Sequence, residues 1–157
     1  MSKLIEIATK EIGVVEEPIN KVKYNDWIYQ KPTSGKSYAW CGAFVSWVFN
    51  EAGLNLGKID LSRGFVGCPF AVKNIHKWGK LVTVPTEGCV VFYDWDGNGV
   101  FDHTGIFVKD LGKGLFEAIE GNTSFKDNSN GGQVMRRSDR KYKHAIFVQP
   151  NVLNPSL

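Results

Sequence analysis

The chain has 157 residues, of which 43% are hydrophobic and 22% charged, and this size and balance predict a single globular domain spanning residues 1–157. Its net charge is only +3, with no basic run longer than Arg136-Arg137, so the composition argues against a nucleic-acid-binding protein. The three cysteines are an odd number and form no CxxC pair, which argues against a disulfide framework and a zinc ribbon and favours folding in a reducing cytoplasm.

The amino-terminal segment MSKLIEIATKEIGVVEEP predicts a helix and no membrane span. Ser2 is a suitable N-cap and Gly13 a suitable stop for this helix. Because the segment carries acids early and has no long apolar run, it predicts neither a secretory signal nor a transmembrane helix. We therefore expect a protein made in the cytoplasm without a signal peptide. The apolar residues of the helix recur at the spacing of one face: Leu4, Ile5, Ala8 and Ile12.

Two further helices are predicted in the first half of the chain. Residues 16–39 are predicted to be a loop with a short aromatic segment, YNDWIY, and a helix then begins near Cys41 and ends at Gly53. Positions three, four, seven and eleven after Cys41 are apolar, which places Cys41 on the buried face of that helix. Pro69 suits the first turn of another helix, over about residues 69–78. The predicted buried residues of this helix are Phe70, Ala71, Ile75 and Trp78.

The second half of the chain has the pattern of strands. Five apolar-rich or alternating segments are separated by Gly, Asn and Asp turns, and they cover residues 88–93, 103–108, 115–119, 133–137 and 145–149. Helices first and strands later predict an α+β fold, with amino-terminal helices packed on a carboxy-terminal antiparallel sheet.

Cys41 has two interpretations. A free cysteine on the packed face of a helix is commonly a small buried hydrophobe. At a helix N-terminus, however, the helix dipole and the free N–H groups stabilise a thiolate, and the same N–H groups can bind the oxyanion of an acyl-transfer intermediate. Neither Cys68 nor Cys89 lies clearly at the N-terminus of a predicted helix. Cys89, in the run GCVVFY, is predicted to be core, and Cys68, before Pro69, to be structural.

A thiol nucleophile needs a base, and His103 is the best candidate. It opens the predicted strand HTGIFV, where alternation puts it on one face with Gly105, which leaves room for a substrate. His76 is predicted to lie on the surface of the third helix, and His144 in a basic, solvated stretch.

The imidazole of such a base needs a third group that orients it. Glu120 and Asn122, two positions apart on the next predicted strand, share a face if the strand continues, and either could accept the His103 N–H. The alternative interpretation of residues 120–122 is a simple turn.

Cysteine at a helix N-terminus, then histidine on a strand, then Glu or Asn on the next strand, resembles the chain order of papain-like thiol hydrolases. The segments YNDW, WCGAFVSWVFNEAG, EGCVVFYDWDGNGVFDHTGIFV, IEGNTS and GGQVMRR, in this order, are similar to the CHAP amidase/endopeptidase domains of phage endolysins and bacterial wall hydrolases. The resemblance implies a papain-like fold and peptidoglycan as substrate. It also implies Cys41 as nucleophile, His103 as general base, Glu120 as the orienting acid and Asn122 as an assisting polar residue.

The sequence departs from the family pattern just before the cysteine. Many relatives carry a glutamine there as an oxyanion donor, whereas this chain has SYAW. The Cys41 backbone N–H is therefore the best candidate donor, with Tyr38 as a helper. Tyr38 and Trp40 are the predicted residues of a substrate groove, and packing in the core is the alternative for Trp40.

The loop DWDGNGVFD has the oxygen spacing of an EF-hand-type calcium loop. Gly99 takes the sixth position, where a sharp turn is needed, but Gly105 stands at the twelfth, where an acid is expected. An ordinary Asp/Asn/Gly hairpin loop is the alternative. We expect calcium as a ligand of this loop and no organic cofactor. The expected ligands are Asp94, Asp96, Asn98, the Val100 carbonyl and Asp102.

The resemblance implies an endolysin-type peptidoglycan hydrolase that cuts the N-acetylmuramoyl-L-alanine amide bond or a peptide bond of the stem or cross-bridge. We expect a monomer that reaches the wall through a holin pore, by lysis or as part of a virion. Two alternatives are a non-catalytic wall-binding or virion structural module and a thiol hydrolase of a non-wall amide. An intact Cys41, His103 and Glu120 argues against a binding module, which has no need of all three.

Overall fold

The computed structural model describes residues 1–153. In this range the helices are α1 (Lys3–Lys10), α2 (Lys23–Tyr29), α3 (Cys41–Glu51), α4 (Cys68–Lys73) and α5 (Ile75–Trp78). The strands are β1 (Gly79–Val82), β2 (Val90–Tyr93), β3 (His103–Gly112), β4 (Leu115–Thr123), β5 (Gln133–Lys141) and β6 (Ala145–Pro150). None of these helices has the length and apolar character that would let it cross a membrane.

The six strands form one antiparallel sheet in the order β1-β6-β2-β3-β4-β5. The helices precede the sheet in the chain, so the predicted α+β fold with helices packed on an antiparallel sheet is confirmed. The first residue of β3, His103, pairs with the last residue of β2, Tyr93, which sets the beginning of one strand beside the end of the other.

The central helix α3 packs directly against β3 and β4. Eight of its eleven residues are buried, including all of the first turn. The close approach depends on Gly121 of β4, because a Cβ there would lie 2.6 Å from the Cβ of Phe44 and 2.8 Å from the Trp40 ring. This contact brings the beginning of α3 to the sheet beside Glu120.

The local sequence pattern predicts the beginning of helix α1 correctly and fails beyond its last residue. Ser2 caps α1, with its Oγ 3.3 Å from the backbone nitrogen of Ile5, as predicted. Leu4, Ile5 and Ala8 are buried as predicted, but Ile12 is 38% exposed, so its assignment to the buried face was wrong. The helix ends at Lys10, and beyond that residue helical spacing no longer determines which face a side chain occupies.

Three other predictions need correction. The aromatic segment within the predicted loop is helix α2, whose buried residues Tyr24 and Ile28 are one helical turn apart. The single helix predicted over residues 69–78 is two short helices separated at Asn74, and Phe70 is 46% exposed because that first helix turns it to solvent. Strand β1 was not predicted. It is an edge strand of four residues, too short for a clear alternation.

Candidate active site

Cys41 is the first residue of α3, and 4% of its surface is exposed. The preceding residue, Trp40, has non-helical backbone angles and gives the helix no side-chain capping hydrogen bond. The Cys41 residue therefore lies at the positive end of the helix dipole, where no capping side chain occupies the backbone N–H groups of the first turn. This position favours a thiolate.

His103 is fully buried at the beginning of β3, and its Nε2 lies 2.9 Å from Oε1 of Glu120. Glu120 reaches the ring across Gly105. A Cβ at position 105 would lie 2.5 Å from Cγ of Glu120, so any side chain there would displace the carboxylate. Gly105 therefore makes room for the Glu120 side chain, whereas the sequence had suggested room for a substrate.

Both oxygens of the fully buried Glu120 carboxylate are hydrogen-bonded. Arg140 donates from Nε to Oε2 at 2.9 Å and from Nη2 to Oε1 at 2.5 Å, and the Tyr93 hydroxyl donates to Oε2 at 2.6 Å. Burial alone would raise the pKa of Glu120, but the hydrogen bonds and charges of Arg140 and His103 outweigh it and lower the pKa to about 2. An ionised carboxylate can only accept, so Nε2 of His103 carries a proton.

The remaining ring nitrogen of His103, Nδ1, is buried and has no hydrogen-bond partner among residues 1–153. It is the ring nitrogen that Glu120 does not engage, and His103 and Cys41 each shift the pKa of the other. The pKa of Cys41 is lowered well below its ordinary value, first by a hydrogen bond from Cys68 and then, against the effect of burial, by His103. Burial lowers the pKa of His103, but Cys41 and Glu120 raise it to about 9. Both shifts favour a thiolate on Cys41 and an imidazolium on His103.

Aromatic rings enclose the imidazole. Trp95 and Tyr93 stack on it, with ring centroids 5.5 and 5.7 Å from that of His103. The Arg140 guanidinium lies over the same two rings, 5.1 Å from the centroid of Trp95 and 5.2 Å from that of Tyr93. The imidazole is thereby shielded from water, which strengthens its interactions with the charges on either side.

The CHAP domain family model matches residues 33–122, which is more than half of the chain and contains Cys41, His103 and Glu120. The chain belongs to the CHAP family. Membership implies a cysteine- and histidine-dependent amidohydrolase or peptidase, typically a hydrolase of the bacterial cell wall with peptidoglycan as its substrate. A search among curated proteins found no match to the chain.

Three residues of this CHAP domain's site were not found by sequence reasoning: Tyr93, Trp95 and Arg140. The signal for Arg140 was available in principle. A buried carboxylate that stays ionised needs a cation as its partner, and β5 carries three arginines that could supply it. Which of Arg136, Arg137 and Arg140 reaches Glu120 depends on the irregular register between β4 and β5, which the sequence pattern does not show.

The Asn122 side chain is hydrogen-bonded to other residues than His103. It accepts a hydrogen bond from the Gly132 backbone at 3.0 Å and donates to Asn130 at 3.1 Å, so it fastens the loop between β4 and β5. Alternation along β4 fails here, because Asn122 has a left-handed backbone (φ 58°) and the register shifts between Glu120 and Thr123. An assisting role in catalysis stays a prediction for Asn122, since the structure brings together only Cys41, His103 and Glu120.

The two residues proposed for the groove have different environments. Trp40 is fully buried, stacks on Tyr24 and donates its indole N–H to Glu16 at 2.9 Å. It therefore has the packing role, the second of its two interpretations, and does not line a groove. Tyr38 is half-buried, and its ring meets the edge of Tyr29 at a centroid distance of 4.9 Å.

The loop at residues 94–102 leads into His103. Its Asp94 carboxylate accepts hydrogen bonds from the backbone of Asn98 and Gly99, and the Asn98 side chain accepts one from Val100. Within residues 1–153, no three Asp, Glu, His or Cys side chains group closely enough to hold a metal ion. Calcium binding by Asp94, Asp96, Asn98, Val100 and Asp102 therefore rests on their spacing and stays a prediction.

Proposed function

We propose that this CHAP domain hydrolyses an amide bond of bacterial peptidoglycan, with Cys41 as the nucleophile, His103 as the proton carrier and Glu120 as the acid that orients His103. One set of observations carries the proposal: a thiol at a helix N-terminus, an imidazole and an ionised carboxylate are all buried, the imidazole is hydrogen-bonded to the carboxylate, and thiol and imidazole each shift the pKa of the other. Family membership supports the reaction class, and the geometry supports the choice of these residues.

In the first half of the reaction, the Cys41 thiolate attacks the amide carbonyl carbon of the wall peptide. The negative charge moves to the carbonyl oxygen, and the Cys41 backbone N–H at the start of α3 is positioned to donate to it. The C–N bond then breaks as the His103 imidazolium gives its proton to the leaving amine. The product is a thioester on Cys41 and a released amine.

In the second half, the neutral His103 takes a proton from a water molecule, which attacks the thioester carbonyl. The carboxylate product leaves, and the thiolate–imidazolium pair forms again. Glu120 stays ionised throughout, because its pKa of about 2 lies far below the working pH. Its contribution is to hold the ring by Nε2 and to stabilise the positive charge on it.

The substrate proposal also fits the charge of the protein. Its net charge is +3, and a polyanionic bacterial wall attracts a weakly basic protein. We propose an endolysin-type role, in which the protein, made in a host cytoplasm, meets the wall after holin action or lysis or as part of a virion. The bond cut is either the N-acetylmuramoyl-L-alanine amide or a peptide bond of the stem or cross-bridge.

The test is the clearing of purified bacterial walls by the wild type and by Cys41→Ser, with Cys89→Ser as the matched control. Cys89 is equally buried but lies in a separate apolar cluster on the sheet. We expect the wild type and Cys89→Ser to clear walls and Cys41→Ser to lose at least about a hundredfold in rate. Mass spectrometry of the released fragments then identifies the bond.

Three results would contradict the proposal. Equal clearing by Cys41→Ser would rule out the thiol mechanism. No clearing by the wild type of walls with several different peptide chemistries, together with binding to those walls, would favour a non-catalytic wall-binding or virion module. Hydrolysis of non-wall amides alone would favour a thiol hydrolase with another substrate.

A further inference from the structure

The Cys41 thiol has a second sulfur beside it. The Sγ atoms of Cys41 and Cys68 are 4.0 Å apart, and the two residues are 4% and 3% exposed. They are 27 residues apart in the chain and belong to different helices, because Cys68 is the first residue of α4. Tertiary packing therefore brings a second thiol to the nucleophile of the proposed reaction.

The backbone before Cys68 is held in place. The Asp60 carboxylate accepts hydrogen bonds from the backbone nitrogens of Val66 at 3.0 Å and Gly67 at 2.8 Å, and Pro69 follows Cys68 in the first turn of α4. A carboxylate that accepts two backbone N–H groups fixes the turn that leads into the helix. These hydrogen bonds therefore fix the position of the backbone that places Cys68 beside Cys41.

The environment decides which sulfur carries the proton. Cys41 lies at the N-terminus of α3 and next to the His103 imidazolium, both of which favour its thiolate. The pKa of Cys68 is raised well above its ordinary value by the Cys41 thiol and by burial, and further by the carboxylates of Asp102 and Asp60. Cys68 is therefore the S–H donor of the pair, and Cys41 is the acceptor.

We propose that Cys68 is a positioning residue, whose S–H donates a hydrogen bond to the Cys41 sulfur and holds the nucleophile as a thiolate in line with His103. The proposal rests on the proposed function only in taking Cys41 as the nucleophile. A buried anion needs donors in place of the water it has lost. The Cys68 S–H supplies such a donor to Cys41 at an Sγ–Sγ distance of 4.0 Å, in addition to the charge of His103 and the N-terminus of α3.

Removing the donor should shift the ionisation of Cys41. Cys68→Ala and Cys68→Val both abolish the S–H, the first by leaving a space and the second by filling it, whereas Cys68→Ser keeps a donor. Cys89→Ala is the matched control, because Cys89 is a fully buried thiol whose sulfur contacts Thr86 at 3.7 Å and lies in the other apolar cluster. All variants keep Cys41.

The measurement is the rate of alkylation of Cys41 by iodoacetamide between pH 3 and 10, followed by mass spectrometry of the peptide that carries Cys41. We expect the acidic midpoint of this rate to move up by about one pH unit, a tenfold change in the ionisation constant, in Cys68→Ala and Cys68→Val. Cys68→Ser keeps a donor, so its midpoint should stay close to that of the wild type. Cys89→Ala should leave the midpoint unchanged.

An unchanged midpoint in whichever of Cys68→Ala and Cys68→Val folds, as judged by circular dichroism and Tm, would overturn the proposal. A shift of the same size in Cys89→Ala would overturn it too, since it would show a general loss of packing. The alkylation needs no wall substrate, so its outcome is independent of clearing. A shifted midpoint without clearing would leave Cys68 in its role and remove the proposed peptidoglycan reaction.

Discussion

Two neighbouring parts of the molecule hold their carboxylates in opposite ways. Glu120 is fully buried and bonded to His103, Arg140 and Tyr93, which are 17, 20 and 27 residues away in the chain. Asp94 lies in the loop after β2, and its oxygens accept backbone N–H groups only four and five residues further on. A local turn is enough to satisfy Asp94, whereas Glu120 depends on the assembled sheet.

The difference shows how the fold controls the chemistry of a side chain. Because Glu120 has lost water, its charge depends on Arg140 and His103, and it passes that dependence to Cys41 through the imidazole. The partly exposed Asp94 keeps water as an alternative partner. Changes at Glu120 should therefore alter stability and reactivity together, while changes in the loop at residues 94–102 should have small effects.

The largest effect is expected from Glu120→Gln. This change keeps the size of the side chain but removes the charge that stabilises the His103 imidazolium, and it leaves the buried Arg140 without a counter-ion. We expect wall clearing to fall by a hundredfold or more and the free energy of unfolding to fall by about 3 kcal/mol. Clearing rates and urea denaturation measure the two effects.

Glu117→Gln is the control for this change. Glu117 lies on the same strand, is largely buried and pairs with an arginine, Arg136, but does not contact His103. The Glu117→Gln variant should clear walls at a rate within a few-fold of the wild type. Comparable losses of activity in both variants would show that Glu120 acts only on stability.

A smaller effect on activity and a similar effect on stability are expected from Arg140→Met. The buried Glu120 then keeps only His103 and Tyr93 as partners, and an uncompensated buried charge costs about 3–5 kcal/mol. The pKa of Glu120 lies below its ordinary value, so its stabilisation is fully present above about pH 4.5 and is lost as the pH falls toward about 2. Arg140→Met should move this acid transition to higher pH.

Acid denaturation of the wild type, Arg140→Met and Arg136→Met measures this shift. Arg136 pairs with the carboxylate of Glu117, away from the imidazole, so Arg136→Met should unfold at nearly the same pH as the wild type. If Arg140→Met unfolded in acid at the same pH as the wild type, Arg140 would not set the charge of Glu120.

The pH dependence of activity should reveal the same coupling without loss of the fold. The pKa of His103 is raised to about 9, so the thiolate–imidazolium pair persists at neutral pH and kcat/KM should fall only as the pH rises through about 9. Below that value, kcat/KM should stay level until Cys41 becomes protonated. Soluble muropeptides are the substrate of choice, because their concentration is defined.

Glu120→Gln sharpens this prediction. The carboxylate of Glu120 helps to raise the pKa of His103, so its loss should move the alkaline limb of the residual activity to lower pH. Glu117→Gln should leave the limb near pH 9. An alkaline limb that stays at the same pH in Glu120→Gln would show that Glu120 does not contribute to the charge of the imidazole.

The smallest effect is expected from the loop. If the spacing of its oxygens reflects calcium binding, chelation should lower Tm by a few degrees, at roughly 2–4 °C per kcal/mol of lost binding free energy, and Ca²⁺ should restore it. Asp96→Asn keeps an oxygen and removes a charge on the exposed side of the loop, so it should reduce the response. The same Tm with and without chelator would leave the loop as an ordinary hairpin connection.

Much of the fold followed from local patterns. The Ser2 cap, the helix that begins at Cys41 and the five strands of the second half all lie where spacing and turn residues predicted them. Helix α2 and strand β1 did not, because α2 is short and β1 is a short edge strand without clear alternation. For such segments tertiary contacts decide the conformation.

The sequence by itself determined the helices-then-sheet architecture and the three groups that can carry out thiol chemistry in their chain order. Local spacing was sufficient for the architecture, because periodicity and turn chemistry act over a few residues, whereas the choice of Glu120 over Asn122 came from the resemblance to CHAP domains. Only the tertiary structure decided that Arg140 and Tyr93 hold Glu120, that Asn122 fastens a loop and that Cys68 lies against Cys41. The physical reason is that these contacts join residues far apart in the chain, and a register shift or a packed helix end determines which side chains meet.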